Sequence, residues 1–124
     1  MIFKEFYISD KNGKSNCVIR SLCKILNKEY EDVYNGLCEV SKELKRSSFN
    51  DIEVFEKYIE KNNIIKINRD EDIKVKDLKI DNGSYIVFCW DKKDYYHMIP
   101  IINNTIYDKN FDCMNLYVIS VYKK

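Results

Sequence analysis

The chain has no alanine and no glutamine, one histidine, one proline and three glycines among its 124 residues. Each shortage excludes something. His97 is the only imidazole, so a metal site of several histidines is ruled out, and any imidazole chemistry within one chain runs through position 97. With Pro100 alone and so little glycine, the sequence contains no linker, repeat or low-complexity segment. Its length fits one domain of roughly 100–150 residues. No stretch approaches the run of about 18 apolar residues that a membrane-spanning helix needs. The opening MIFKEFYISDKNGK also lacks the apolar core of a signal peptide. Charge is balanced, with 21 basic and 20 acidic residues for a formal net of +1. That balance makes no electrostatic case for nucleic acid or an anionic membrane, and ten tyrosines without a basic groove do not make a base-stacking surface. The expectation is a cytoplasmic protein with neither nucleic acid nor membrane as partner.

What is present is a foldable core and an odd set of thiols. Apolar residues make up 45% and charged residues 33% of the chain, a globular composition. The five cysteines are Cys17, Cys23, Cys38, Cys89 and Cys113, and an odd number leaves at least one thiol free. A reducing compartment is expected, where cysteines are buried, reactive or metal-bound more often than bridged. The intervening lengths of 5, 14, 50 and 23 residues contain no Cys-x-x-Cys and match no common zinc arrangement. No metal and no cofactor are therefore expected.

Apolar periodicity divides the chain into two halves. After an apolar lead (Ile2 to Ile8) and a polar loop (Ser9 to Ser15), Val18, Ile19, Leu22, Cys23, Ile25 and Leu26 recur at helical spacing. Ser15 or Asn16 can cap this helix. A second helix is expected over Glu29 to Lys45, with Tyr30, Val33, Tyr34, Leu37, Cys38, Ser41 and Leu44 on its apolar stripe. A third is expected to start at Asn50, with Glu53 completing a capping box, and to end near Asn62–Asn63. The second half alternates like strands. Ile64 to Ile67 is a short strand candidate, and Val75 to Ile80 fits either a helical turn or a strand. Ser84 to Trp90 and Tyr95 to Ile102 read as strands around a hairpin tip at Asp91 to Asp94. Asn103-Asn104 suits a two-residue turn with positive φ, leading into Thr105 to Tyr107, and Leu116 to Tyr122 completes the sheet. Helices first and an antiparallel sheet after them predict an α+β domain.

Cys17 is the most informative residue. It falls in the first turn of a helix, where partial positive charge favours a thiolate and where its own amide can donate to a developing oxyanion. The competing reading is a small apolar residue facing the core, and that reading is preferred for Cys23 and Cys38 on their stripes. Cys89 reads as core or cleft wall, while Cys113, in a polar loop, is expected to be accessible but without a helix terminus to activate it. His97 lies within a strand pattern. A hairpin centred on Asn103-Asn104 sets Asp108 about opposite Ile99, one residue pair short of His97. There an acid fixes the tautomer and stabilises the imidazolium; Asp112 is the second choice. Arg20, one turn after Cys17, can bind a substrate carboxylate or pair with an acid such as Glu31 or Asp32 to brace two helices. Trp90 and Tyr96 are candidate cleft walls near His97, though strand aromatics are more often core.

The stretch Asn16-Cys17-Val18-Ile19-Arg20-Ser21-Leu22, running on through Asn27 to Tyr34, resembles the opening of small papain-like cysteine peptidase domains of bacteria and phages. In those domains an acidic or amide residue precedes the cysteine and an arginine follows it by three. Tyr96-His97-Met98 and Asn104-Thr105-Ile106-Tyr107-Asp108 are similar to their histidine strand and return strand. The likeness spans about residues 10–122. It implies a papain-like fold, with Cys17 as nucleophile, His97 as general base and acid, and Asp108 as orienter. Two departures stand out. The glutamine commonly found in the oxyanion hole is missing, for which Asn12 is the first candidate substitute and Asn16 the second. Lys109 also follows Asp108 where a small or aromatic residue is commoner.

The resulting expectation is a thiol-dependent hydrolase cleaving a peptide, isopeptide or amide bond through an acyl-enzyme on Cys17. Its partner would be a protein or peptide substrate. Acyl transfer uses the same constellation. An alternative is a phage or bacterial effector that binds and inhibits a host protein on the same scaffold. A third is redox sensing through Cys17 with Cys23 or Cys113.

Overall fold

A computed structural model describes residues 1–48, 50–67 and 72–124. Three helices pack on a six-stranded mixed sheet, an α+β arrangement. The helices are α1 (Cys17–Leu26), α2 (Tyr30–Glu43) and α3 (Ile52–Lys61). The strands are β1 (Ile2–Glu5), β2 (Ile65–Ile67), β3 (Ser84–Trp90), β4 (Tyr96–Ile102), β5 (Thr105–Asp108) and β6 (Tyr117–Lys123), in the order β1-β5-β4-β3-β6-β2. Among the described residues no helix is long and apolar enough to cross a membrane.

The helices form where the sequence supplies both a stripe and a stop. In α1 the Asn16 side chain accepts from the amides of Val18 and Ile19, and Asn27 ends the helix in left-handed geometry at φ 54°. Val18, Ile19, Leu22 and Cys23 of α1 then bury against Val33 and Leu37 of α2, Phe55 and Ile59 of α3, and Ile86, Met98 and Tyr122 of the sheet. The apolar face of α2 is carried by Tyr30, Val33, Leu37 and Val40. Tyr34, placed on that stripe from the sequence, is exposed instead. The N-cap of α3 is Asp51, whose carboxylate accepts from Glu53 N, and not Asn50.

The other face of the sheet has its own core. Val87, Cys89, Ile99, Ile101, Ile106 and Val121 bury under Val75, Leu78, Cys113 and Met114, which come from or border 3₁₀ turns at Val75–Asp77 and Phe111–Asn115. The ambiguous segment from Val75 is thus a helical turn over its first three residues. Strand alternation explains the two cores: Met98 and Ile102 of β4 face the helices, while His97, Ile99 and Ile101 face away.

The sheet departs from expectation at its edge. The Ile2–Glu5 part of the apolar lead is β1, parallel to β5 in the register Ile2↔Thr105 to Glu5↔Asp108, so the sheet is mixed and not purely antiparallel. Four residues at the very start, two apolar and then two charged, carry no alternation from which to distinguish a strand from a lead-in. The β4–β5 turn follows the expected chemistry, with Asn103 and Asn104 at φ 48° and 64°. Pairing is Ile101↔Ile106 and Ile102↔Thr105, and the same register carried further sets Asp108 abreast of Ile99. Beyond that point β4 has no β5 partner, and the start of α1 lies there.

Candidate active site

Three chain segments converge where β5 leaves β4. Cys17 is the first residue of α1, directly after its Asn16 cap. His97 is the second residue of β4 and lies on the same face as Ile99. Asp108 ends β5 and reaches one residue pair along the strand to His97, with Asp108 Oδ2 2.8 Å from His97 Nε2. That contact occupies Nε2, so Nδ1 is the nitrogen left to face Cys17, which lines the same cleft as His97. Met98, next along β4, lines the cleft beside the sulfur as well. Cys17, His97 and Asp108 are therefore brought together in the order thiol, imidazole, carboxylate.

The electrostatics follow from these contacts. Burial pushes the Cys17 thiol up, but the His97 hydrogen bond and charge, the Met98 amide and Arg20 outweigh it, and the thiol is held below its ordinary value of 9.0. Burial alone would lower His97; the hydrogen bond to Asp108 and the contact with Cys17 overcome it and raise the imidazole to about 9. Asp108 is buried too, yet His97, the Lys109 amide and Arg20 keep its carboxyl below the usual carboxylate value. Both shifts favour a thiolate beside an imidazolium over a neutral thiol beside a neutral imidazole. The proton on each group reflects the other, so the two titrate as a unit.

Arg20 supplies the support. One guanidinium nitrogen lies 3.3 Å from Asp108 Oδ1 and another donates to Ser15 Oγ at 2.9 Å, while Ser15 Oγ donates to the Ile8 carbonyl. The expected partners Glu31 and Asp32 are not the ones used. Arg20 sits one helical turn from Cys17, so α1 carries the thiol and clamps the acid with the same face. Both members of the ion pair are buried, Arg20 at 7% and Asp108 at 1% exposure. A long-range pair of this kind leaves no mark in local sequence, which favours nearby acids.

The other thiols lie elsewhere in character. Cys23 is pushed up to about 11 by burial and the charges of Glu29 and Asp32. Cys89 is buried on the far face, with Sγ 3.4 Å from the His97 carbonyl oxygen, and its thiol is driven well above the ordinary value, chiefly by burial. Cys113 is buried, contrary to the expectation of an accessible loop thiol, because the 3₁₀ turn at Phe111–Asn115 folds it under the sheet. Cys38 is partly buried. Among the described residues no three His, Cys, Asp or Glu side chains gather as a metal site.

The site opens into a cleft of about 520 Å³ lined by Asn16, Cys17, Val18, Asn50, Ile52, Phe55, Phe88, Tyr96, His97 and Met98. Of the proposed oxyanion donors, Asn16 lines this cleft: its Oδ1 caps the helix and its Nδ2 donates to Asn50 Oδ1 at 2.9 Å. Asn12 belongs to an exposed turn whose amide donates to the Asp10 side chain, away from the cleft lining. Asn50, read from sequence as a helix cap, is instead an amide side chain in the site. Tyr96 walls the cleft, while Trp90 stacks on Tyr96 from behind without lining it. Tyr95, not singled out from the sequence, stacks over the His97 ring with centroids 5.7 Å apart. Asp112, the second-choice orienter, caps no part of the His97 contact. Comparison with family models, curated proteins and solved structures finds no match to this chain.

Proposed function

We propose that the protein is a thiol-dependent hydrolase of papain-like architecture, cleaving a peptide, isopeptide or amide bond through an acyl-enzyme on Cys17. The observation that carries this reading is the placing of Cys17 and His97 in one cleft lining, with His97 bonded to a buried, arginine-clamped Asp108. Structural pairs of charges are common, but a helix-start thiol set against an imidazole whose other nitrogen is fixed by a carboxylate is the arrangement nucleophilic catalysis requires.

The Cys17 thiolate attacks the carbonyl carbon, forming a C–S bond. Negative charge moves to the carbonyl oxygen, where the Cys17 amide, first of the helix, and the second Nδ2 hydrogen of Asn16 are the available donors. His97 passes its Nδ1 proton to the leaving nitrogen as the C–N bond breaks, leaving a thioester. Water then attacks the thioester with Nδ1 taking its proton; the C–S bond breaks and the thiolate–imidazolium pair is restored. Asp108 keeps Nε2–H engaged throughout, so Nδ1 is the nitrogen that exchanges protons.

The half-exposed Tyr95 and Tyr96 beside the cleft favour a second reading, in which the same surface holds a host protein and chemistry is secondary. The two readings separate on one experiment. With 4-nitrophenyl acetate as acyl donor, the wild type should release a burst of nitrophenol and carry an acetyl group on Cys17 by mass spectrometry. Cys17→Ala should show neither. Equal acylation of both proteins would overturn the assignment of Cys17.

A further inference from the structure

The amide of Asn16 is held at both ends. Its Oδ1 accepts from Val18 N at 2.9 Å and from Ile19 N at 3.2 Å, which commits the oxygen to the first turn of α1 and rules out a flipped amide. Its Nδ2 carries two hydrogens. One is donated to Asn50 Oδ1 at 2.9 Å, and the other is left for the cleft that Asn16 lines beside Cys17. Bonds at the oxygen alone would let the amide plane swing about that end; the bond to Asn50 holds the nitrogen end and fixes the plane. Asn50 is itself mounted on the fold. Its backbone amide donates to Ser48 Oγ at 3.1 Å, and the next residue, Asp51, caps α3. Phe55 and Ile59 of α3 share one core with Val18 and Ile19 of α1, so the two helix starts are fixed relative to each other. Among the residues lining the cleft, Asn16 and Asn50 are the two side-chain amides, and no lysine or arginine joins them.

We propose that Asn50 is a positioning residue that acts through Asn16, aiming the second Nδ2 hydrogen of that amide at the carbonyl oxygen of the substrate. The inference rests on the hydrolase reading above and adds the residue that orients one of its two donors. A donor stabilises developing negative charge most when it is held in place beforehand, because nothing then reorganises as the charge forms. The Cys17 amide meets that condition as part of α1. The Asn16 amide meets it only while its nitrogen end is held, and Asn50 supplies the hold from the start of α3. In a chain without glutamine, two short amides at two helix starts thus do together what one long amide side chain does alone. Asn50 is exposed, so it can be replaced without emptying the core.

The test compares two reactions of Cys17. With 4-nitrophenyl acetate the thiolate forms a C–S bond, charge passes through the ester oxygen, and nitrophenolate leaves. With iodoacetamide the thiolate displaces iodide at a saturated carbon, and no oxyanion forms. In Asn50→Ala the maximal acylation rate should fall about tenfold, part of the roughly 10²–10³ that a whole oxyanion donor supplies. The ester concentration giving half that rate should stay the same, because the contact matters only in the transition state. The iodoacetamide rate should also stay the same. Asn16→Ala should slow acylation further, and adding Asn50→Ala to it should cost nothing more, since no amide is left to aim. A wild-type acylation rate in Asn50→Ala, additive losses in the double variant, or an equal fall with iodoacetamide would overturn the proposal. A wild type that iodoacetamide labels at Cys17 but the ester does not acylate would instead overturn the hydrolase reading, and this proposal with it.

Discussion

Cys17 and Cys113 both lie close to the His97–Asp108 pair, and their acidities move in opposite directions. Burial raises both thiols, so burial does not separate them. On the far face, Cys113 lies in one pocket lining with Asp108, and that carboxylate's negative charge adds to burial in disfavouring a thiolate. Cys17 meets the same carboxylate only through His97, whose proton presents positive charge to the sulfur. The interposed imidazole reverses the sign of the environment. One carboxylate thus disfavours the thiolate of one cysteine and, by way of a histidine, favours that of the other.

Replacing His97 breaks this contrast most completely. In His97→Ala the desolvation of Cys17 remains and its largest compensation is gone, so its thiol should rise toward the behaviour of Cys113. The rate of peptide or ester cleavage should fall by about 10²–10⁴-fold, the usual contribution of a positioned acid–base group. Site-resolved alkylation against pH, together with turnover, checks both.

Asp108→Asn changes both sides at once. It leaves Arg20 buried beside a neutral amide, and removing one partner of a buried pair costs about 3–5 kcal/mol. The urea midpoint should drop accordingly. His97 loses the contact that most raises it, so the alkaline limb of activity, expected near 9 in the wild type, should move to lower pH.

The pH dependence of stability separates the two charged partners. Asp108 is held below its unfolded value, so its contribution is present above about 3.8 and is lost as pH falls through the folded value. His97 is raised, so its contribution is complete below 6.5 and is lost as pH rises through about 9. Cys17, held below 9.0, contributes in the opposite sense and offsets the His97 contribution over the same range, so denaturation midpoints should decline at the acid end and change little between pH 6.5 and 9. The smallest expected effect is that of Asn16→Ala. Loss of the α1 cap should cost about 1 kcal/mol by urea titration, and it also frees Asn50 from its partner in the cleft.

The parts of this molecule that were legible in the sequence are those written locally. The α1 cap, β3 at Ser84–Trp90 and the Asn103-Asn104 turn each follow from a few adjacent residues. Because that turn sets register, the approach of Asp108 to His97 was legible as well, two residues from Ile99 along a strand of known face. The partner of Arg20 was not, since an acid 88 positions away competes on paper with acids one helix away. Nor was the burial of Cys113, which depends on a five-residue 3₁₀ turn folding under the sheet, or the place of Asn50 in the cleft. A polar side chain at the start of a helix reads as a cap, and only the meeting of α1 and α3 brings Asn50 against Asn16.

The most direct test of the central claim is the rate of iodoacetamide labelling at each of the five cysteines as a function of pH, resolved by peptide mass spectrometry in the wild type and in His97→Ala. The paired thiolate predicts that Cys17 is labelled first, at a pH below that of an ordinary thiol. It also predicts that this early labelling disappears in His97→Ala while Cys113 stays unreactive in both proteins. A Cys17 profile that rises only near 9, or one unchanged by the loss of His97, would contradict it.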